Sequence, residues 1–234
     1  VSQLNILSGG AAQGLVGSLA PDFKAQTGLE IAGEFGAVGV MADKLRKGTP
    51  ADIVILTAAL LAKLTEEKLI VAATIADIGR VETALAVRAG DTLAAVKDAT
   101  DLRRALLESD AIFVPDTKSS TAGIHVANVL QQLGIASEVA GCLKIFPNGA
   151  TAMRELAASK SRRPIGCTQS TEIISTEGVT LSGSLPPGCD LATTYTAGIT
   201  AAAAHPQQAQ QLIALLTGNG RQEQRQRAGF INDR

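Results

Sequence analysis

One local pattern recurs along this chain and restricts its fold more than any other. Ile112-Phe113-Val114-Pro115 runs through Asp116-Thr117-Lys118-Ser119-Ser120-Thr121 into the apolar-periodic stretch that opens with Ala122-Gly123-Ile124-His125. This reads as a buried strand turning through a hydroxyl-rich loop into a helix. Leu4-Asn5-Ile6-Leu7 likewise leads through Ser8-Gly9-Gly10-Ala11 to a helical stripe of Leu15, Val16, Leu19 and Phe23. Phe35-Gly36-Ala37-Val38 and Phe146-Pro147-Asn148-Gly149 repeat the arrangement. Strand, small-residue corner and helix in alternation predict an α/β fold with mostly parallel pairing, right-handed crossovers and ligands at the carboxyl ends of the strands.

Such corners suit anions. The first amides of a helix lack helical partners, and the macrodipole puts partial positive charge there. Lys118, Ser119, Ser120, Thr121 and Ala122 are the candidate ligand residues of the central corner, with Ser8, Gly9, Gly10 and Ala11, then Gly36, Ala37 and Val38, then Asn148 and Gly149 at the others. A Ser before an apolar run is also an ordinary N-cap; recurrence at four corners favours a shared small ligand. The chain has no Gly-x-Gly-x-x-Gly and no P-loop lysine, so a nucleotide cofactor is not expected.

Period-two runs predict strands near 4–7, 29–34, 52–56, 83–88, 111–114, 142–146, 164–167 and 192–197; helical periodicity predicts helices near 11–27, 38–47, 58–65, 121–133, 149–158 and 206–216. Gly28, Gly48 and Gly134 read as C-terminal stops and Pro206 as a first-turn residue. The weakly periodic segments 77–82 and 186–190 read as two crossings between lobes. Residues 1–82 with 191–234 then form lobe I and 83–190 lobe II, with a ligand cleft between them and a hinge near 80–83 and 190–194. Ala201–Ala204 reads as a tight core connection, and 221–227 as a solvated helix ended by a docking Phe230.

Composition removes several classes. The 234 residues are 46% hydrophobic and 18% charged with a formal charge of −1, an ordinary globular balance. Tyr195 is the only tyrosine and tryptophan is absent, so there are few platforms for base stacking and nucleic acid is not expected as a partner. No apolar run reaches the roughly 20 residues of a membrane span. The start at Val1-Ser2-Gln3-Leu4 fits an exported chain whose signal peptide has been removed. Cys142, Cys167 and Cys189 lack metal-ligand spacing, and no metal site is expected.

Leu4–Ala12, the Gly48-Thr49-Pro50-Ala51-Asp52-Ile53-Val54-Ile55 turn and strand, Ala122-Gly123-Ile124 with Leu130–Gly134, Pro164-Ile165-Gly166 and Tyr195-Thr196-Ala197 occur in an order that resembles the periplasmic substrate-binding proteins of ABC importers, in their molybdate-binding-protein-like branch. The likeness spans nearly the whole chain. It implies a two-lobed type II periplasmic-binding-protein-like fold, each lobe a mixed sheet flanked by helices. It also implies a monomeric receptor in the periplasm that hands a small anionic solute to an ABC permease.

The departures from that branch direct the ligand reading. Molybdate binders resemble one another in carrying serine hydroxyls where this chain has Ala11 and Ala37 or Val38, and a tyrosine where it has Gln169. A dehydrated oxyanion needs its lone pairs met by donors, so an organic carboxylate is the better expectation, with Arg80 as a bidentate fork. Molybdate, tungstate or sulfate is a further alternative. Some members of the group resemble aconitate isomerase, a cofactor-free enzyme that moves a proton within a tricarboxylate. Such chemistry needs a base, for which Glu172, Asp116 and His125 are the candidates. Two of these have a plain alternative: a helix-start cap for Glu172 and a structural role for His125. Arg162 and Arg163 read as solvated surface, and Cys167 as a buried inert thiol.

Overall fold

The computed structural model describes residues 3–231; Val1-Ser2 and the last three residues of the expected lobe I lie outside the described residues. The chain forms two compact units, Val1–Val81 with Thr193–Arg234, and Glu82–Ala192.

The first unit is built on β1 (Gln3–Gly9), β2 (Glu30–Gly36), β3 (Ile53–Thr57), the first half of β4 (Ala76–Arg88) and β9 (Ala192–Ile199). β1 pairs in parallel with β2 and β3, and β3 pairs antiparallel with β9. Helices α1 (Gln13–Thr27), α2 (Val38–Arg46) and α3 (Ala58–Glu66) each leave the C-terminal end of a strand. The stripe Leu15, Val16, Leu19 and Phe23 is fully buried with Leu4, Ile6 and the α8 (Pro206–Thr217) residues Leu212 and Leu216. Each such side chain contributes about 1.5–3 kcal/mol by leaving water. Gly28 ends α1 in the left-handed region at φ 74°, and Pro206 opens α8.

Segment 77–82 lies in the 13-residue strand β4, which passes from the first unit into the second at Val81–Glu82. Two other expectations for this unit are corrected. Ala201, Ala202 and Ala204 are exposed, so the alanine run is not a core connection. Helix α9 (Gln222–Arg227) forms, and Phe230 docks into the core, but Arg225 is buried and donates to the Leu216 and Gly218 carbonyls. The polar segment therefore has an inner face that closes the end of α8.

The second unit contains the rest of β4, then β5 (Ala111–Pro115), β6 (Leu143–Phe146), β7 (Pro164–Gln169) and β8 (Val179–Ser184), in the order β8-β4-β7-β5-β6. β5 is parallel to both neighbours, whereas β4 is antiparallel to β7 and β8. Alternation along β5 sorts its two faces. Ile112 and Val114 pack with Val126, Val129 and Leu130 of α5 (Thr121–Gln132). Ala111 and Phe113 pack with Ala152, Met153 and Leu156 of α6 (Gly149–Ala158). The two helices thus cover opposite faces, and each begins where its preceding strand ends. Helix α4 (Ala99–Glu108) and strand β8 were not anticipated from the sequence pattern.

Candidate anion site

The helices that leave strand ends differ in how their first amides are met. Thr57 caps α3 by accepting from Leu60 N–H at 3.4 Å, and Asn148 caps α6 by accepting from Thr151 N–H at 2.9 Å. Helices α1, α2 and α5 begin after Ala12, Ala37 and Ser120 with no side-chain cap. All three residues are buried. Small residues there leave room for backbone N–H groups to meet a ligand.

In the first unit, Gly9, Gly10 and Ala11 at the β1 corner and Gly36, Ala37 and Val38 at the β2 corner are all buried. Ser8 is fully buried, and its hydroxyl donates to the Gly9 carbonyl at 2.9 Å, so it points back along its own strand. Arg80 lies in β4, where its main chain exchanges two hydrogen bonds with Ile231. It is not part of any strand-to-helix corner.

The β5 corner is organised by Asp116. One carboxylate oxygen accepts from the Lys118 and Ser119 amides at 2.9 and 2.7 Å and from the Ser119 hydroxyl at 2.7 Å. The Ser119 bond and the Lys118 amide hold this carboxyl below its usual range. Ser119 and the Lys118 amide are therefore committed to the loop itself, contrary to the expectation of open donors. Lys118 extends into solvent. What remains at this corner is Ser120 with the first amides of α5, from Thr121 and Ala122. Gly123 lets the helix start this close, because a Cβ there would lie 2.2 Å from the Asp116 carbonyl.

At the β6 corner the expectation of an open cradle is overturned. The carboxylate of Glu172, in the short helix α7 (Ser170–Ile174), accepts the Thr168 hydroxyl at 2.5 Å and the backbone amides of Gly149, Ala150 and Gln169. It stands where a bound anion would, at the first two amides of α6. Burial pushes its pKa up, and the four donors pull against that shift. Thr168, whose hydroxyl completes this cage, was missed in the sequence; the signal was a Thr four residues before a Glu across a strand-to-helix junction. Gln169 is buried and pairs in register with Thr83 of β4. The Thr83 and Thr171 hydroxyls are buried without a hydrogen-bond partner among the described residues.

The other expected groups are placed as follows. His125 Nε2 lies 2.8 Å from the Cys189 carbonyl, which ties α5 to the turn at 186–189. Cys167 is buried and its thiol is pushed up to about 12 by desolvation. Arg162 and Arg163 are exposed at the start of β7, where they help line a groove of about 570 Å³ with Arg104, Asp101 and Glu108. That groove adjoins the N-terminal ends of β5 and β7, opposite the corners. Among the described residues, no helix is long and apolar enough to cross a membrane, and no three His, Cys, Asp or Glu side chains cluster to hold a metal.

Two mixed α/β units whose helices start at strand ends define the periplasmic-binding-protein class of fold. The chain belongs to the bacterial extracellular solute-binding protein family, whose profile matches residues 4–231. The periplasmic molybdate-binding protein of Azotobacter vinelandii superimposes with a TM-score of 0.82 at 18% identity, covering 99% of this chain and 100% of that one. The sulfate-binding protein SubI from Mycobacterium tuberculosis H37Rv gives a TM-score of 0.76 at 18% identity, covering 98% and 86%. In sequence, the chain is 24% identical over 227 residues to an aconitate isomerase from a Pseudomonas species, which spans 92% of this chain and 82% of the relative.

Proposed function

We propose that this chain is a periplasmic receptor that binds a small organic carboxylate and delivers it to an ABC-type permease. The observation that carries the reading is the contrast among helix starts. Helices α1, α2 and α5 leave strand ends on buried small residues with no side-chain cap, whereas α3 and α6 are met by the protein's own groups. Within the second unit the α5 amides of Thr121 and Ala122, beside Ser120, take one carboxylate; within the first, the same argument applies to α2 and to the 3-10 turn Gly10–Ala12 that leads into α1, the Gln13 amide itself being taken by the Gly10 carbonyl. Ala11, Ala37 and Val38 supply no hydroxyls, which disfavours a tetrahedral oxyanion that must have every oxygen met.

The aconitate isomerase relative favours a second reading, a cofactor-free isomerase of a small polycarboxylate. On that reading Glu172 has the pKa direction of a general base. Asp116 has the opposite shift, and His125 is held by Cys189. Four donors already occupy the Glu172 carboxylate, so the receptor stays the first reading.

A thermal-shift screen against di- and tricarboxylates, sulfate and molybdate tests the proposal, with NMR of each mixture for conversion. A ligand at about 100 times its Kd stabilises by about 2.7 kcal/mol, equivalent to roughly 5–10 °C for a chain of this size. Such a shift with an unchanged carboxylate is the expected result. Shifts with sulfate or molybdate alone overturn it, and conversion in the tube moves the assignment to the isomerase.

A further inference from the structure

Among the described residues, the buried threonine hydroxyls are met by the protein except at two neighbouring positions. Thr57 accepts from the Leu60 amide, Thr168 donates to the Glu172 carboxylate, Thr196 to Asp77 and Thr200 to the Ala51 carbonyl. The hydroxyls of Thr83 and Thr171, residues 1% and 3% exposed, have no partner among the described residues. Thr83 pairs in register with Gln169, two residues before Thr171. Its main chain is fully used, donating to the Leu191 carbonyl and accepting from the Leu185 amide, so only the hydroxyl is left over. Leu85 and Cys167 pack in one cluster with the α5 residues Val126, Val129 and Leu130. Alternation therefore puts the Thr83 side chain on the face that α5 covers, at the end of β7 where the strand turns into α7.

An unmet hydroxyl deep in a protein costs stability, and a methyl group of the same shape would avoid that cost. Thr168 to Glu172 is a run of five buried polar residues, in which the Glu172 cage accounts for Thr168 and Glu172 but not for Thr171. We propose that Thr83 and Thr171 are ligand-binding residues of the second unit, whose hydroxyls donate to oxygens of the bound anion. That anion is a carboxylate on the receptor reading above, on which the inference rests. Unpaired in the free protein, the two donors form charge-assisted bonds when the anion arrives, and they stand in for the hydroxyls that Ala11, Ala37 and Val38 do not supply. Both are shielded from solvent, so the anion reaches them through a local opening at the end of β7.

Thr83→Val and Thr171→Val test it, because each removes the hydroxyl and keeps the branched shape. Citrate, succinate, sulfate and molybdate are titrated calorimetrically into wild type and both variants, and each protein is melted without ligand. The expected result is a loss of about tenfold or more in carboxylate affinity in each variant, with a melting temperature that is unchanged or higher. Thr83→Ser and Thr171→Ser retain the hydroxyl and are expected to restore affinity close to that of wild type. Unchanged affinity in either valine variant overturns the inference even if wild type binds a carboxylate as proposed. A lowered melting temperature, or a valine variant that does not fold, also overturns it, since the hydroxyl then serves the fold. If wild type binds sulfate or molybdate and neither carboxylate, the carboxylate reading falls by itself, and loss or retention of that affinity in the valine variants still decides the role of the two hydroxyls. Binding of none of the four by wild type overturns both.

Discussion

Gly149 and Glu172 occupy one shared volume, 23 residues apart in sequence: the space a side chain would need at position 149 holds the carboxylate that closes the α6 N-terminus. Gly149→Ala must therefore expel either the helix start or the carboxylate. Both outcomes leave a buried carboxyl or a set of amides unmet. The expected cost is about 2–4 kcal/mol in chemical denaturation. A loss under about 0.5 kcal/mol would show that the Glu172 cage is not formed as described.

Asp116 and Glu172 carry opposite pH signatures. The Asp116 carboxyl lies below its ordinary value of 3.8. Its stabilisation is therefore fully present above that value and is lost as pH falls through the lowered folded pKa. The Glu172 carboxyl lies above its ordinary value of 4.5. The folded state binds this proton more tightly than the unfolded chain, so its contribution falls as pH rises from 4.5 through the raised folded pKa, then levels off. Melting curves across pH are expected to lose part of their acid limb in Asp116→Asn and to lose part of their fall toward neutral pH in Glu172→Gln. A Glu172→Gln profile parallel to wild type between pH 4.5 and 8 would contradict the raised pKa.

Cysteine reactivity follows burial. Cys167 is buried with its thiol pushed up to about 12, so almost no thiolate exists at neutral pH. Cys142 is only half-buried. A thiol reagent added to the native protein is expected to label Cys142 first and Cys167 only on unfolding, which peptide mapping by mass spectrometry reads directly. Labelling of Cys167 before Cys142 would refute this order.

The alternation that defines the fold was readable because it is local. The β1, β5 and β6 corners, the Gly28, Gly48 and Gly134 stops and the Pro206 helix start all lie within a few residues of the apolar pattern that announces them. Helix α4 was equally local, with Asp98 accepting from the Asp101 amide at its start, and its Arg-rich outer face obscured the Leu102 and Leu106 stripe. The Glu172 cage was not readable. Its donors come from β7, α7 and the start of α6, and nothing near Gly149 in sequence marks it as the place where a distant carboxylate lands. Asp116 belongs between these cases: its turn spans three residues, yet Asp, Lys and Ser together read equally well as open donors until the hydrogen bonds are known.

The α5 corner can be tested without disturbing the fold. Pro is tolerated at the first position of a helix because that amide has no helical partner and its fixed φ suits the first turn. The residue before a Pro must be extended, and Ser120 already is, with φ −97° and ψ 134°. Thr121→Pro therefore removes one amide donor from the proposed anion site and leaves the geometry of α5 in place. A hydrogen bond to a charged group contributes about 1.5–3 kcal/mol, so the affinity for a carboxylate ligand is expected to fall by roughly ten- to a hundredfold. The melting temperature without ligand should stay within about 2 °C of wild type, since the substitution also reduces the freedom of the unfolded chain. Calorimetric titration and a melting curve on the same sample separate the two effects. Unchanged affinity in a variant of unchanged stability would remove the Thr121 amide from the site and, with it, the assignment of the anion to α5.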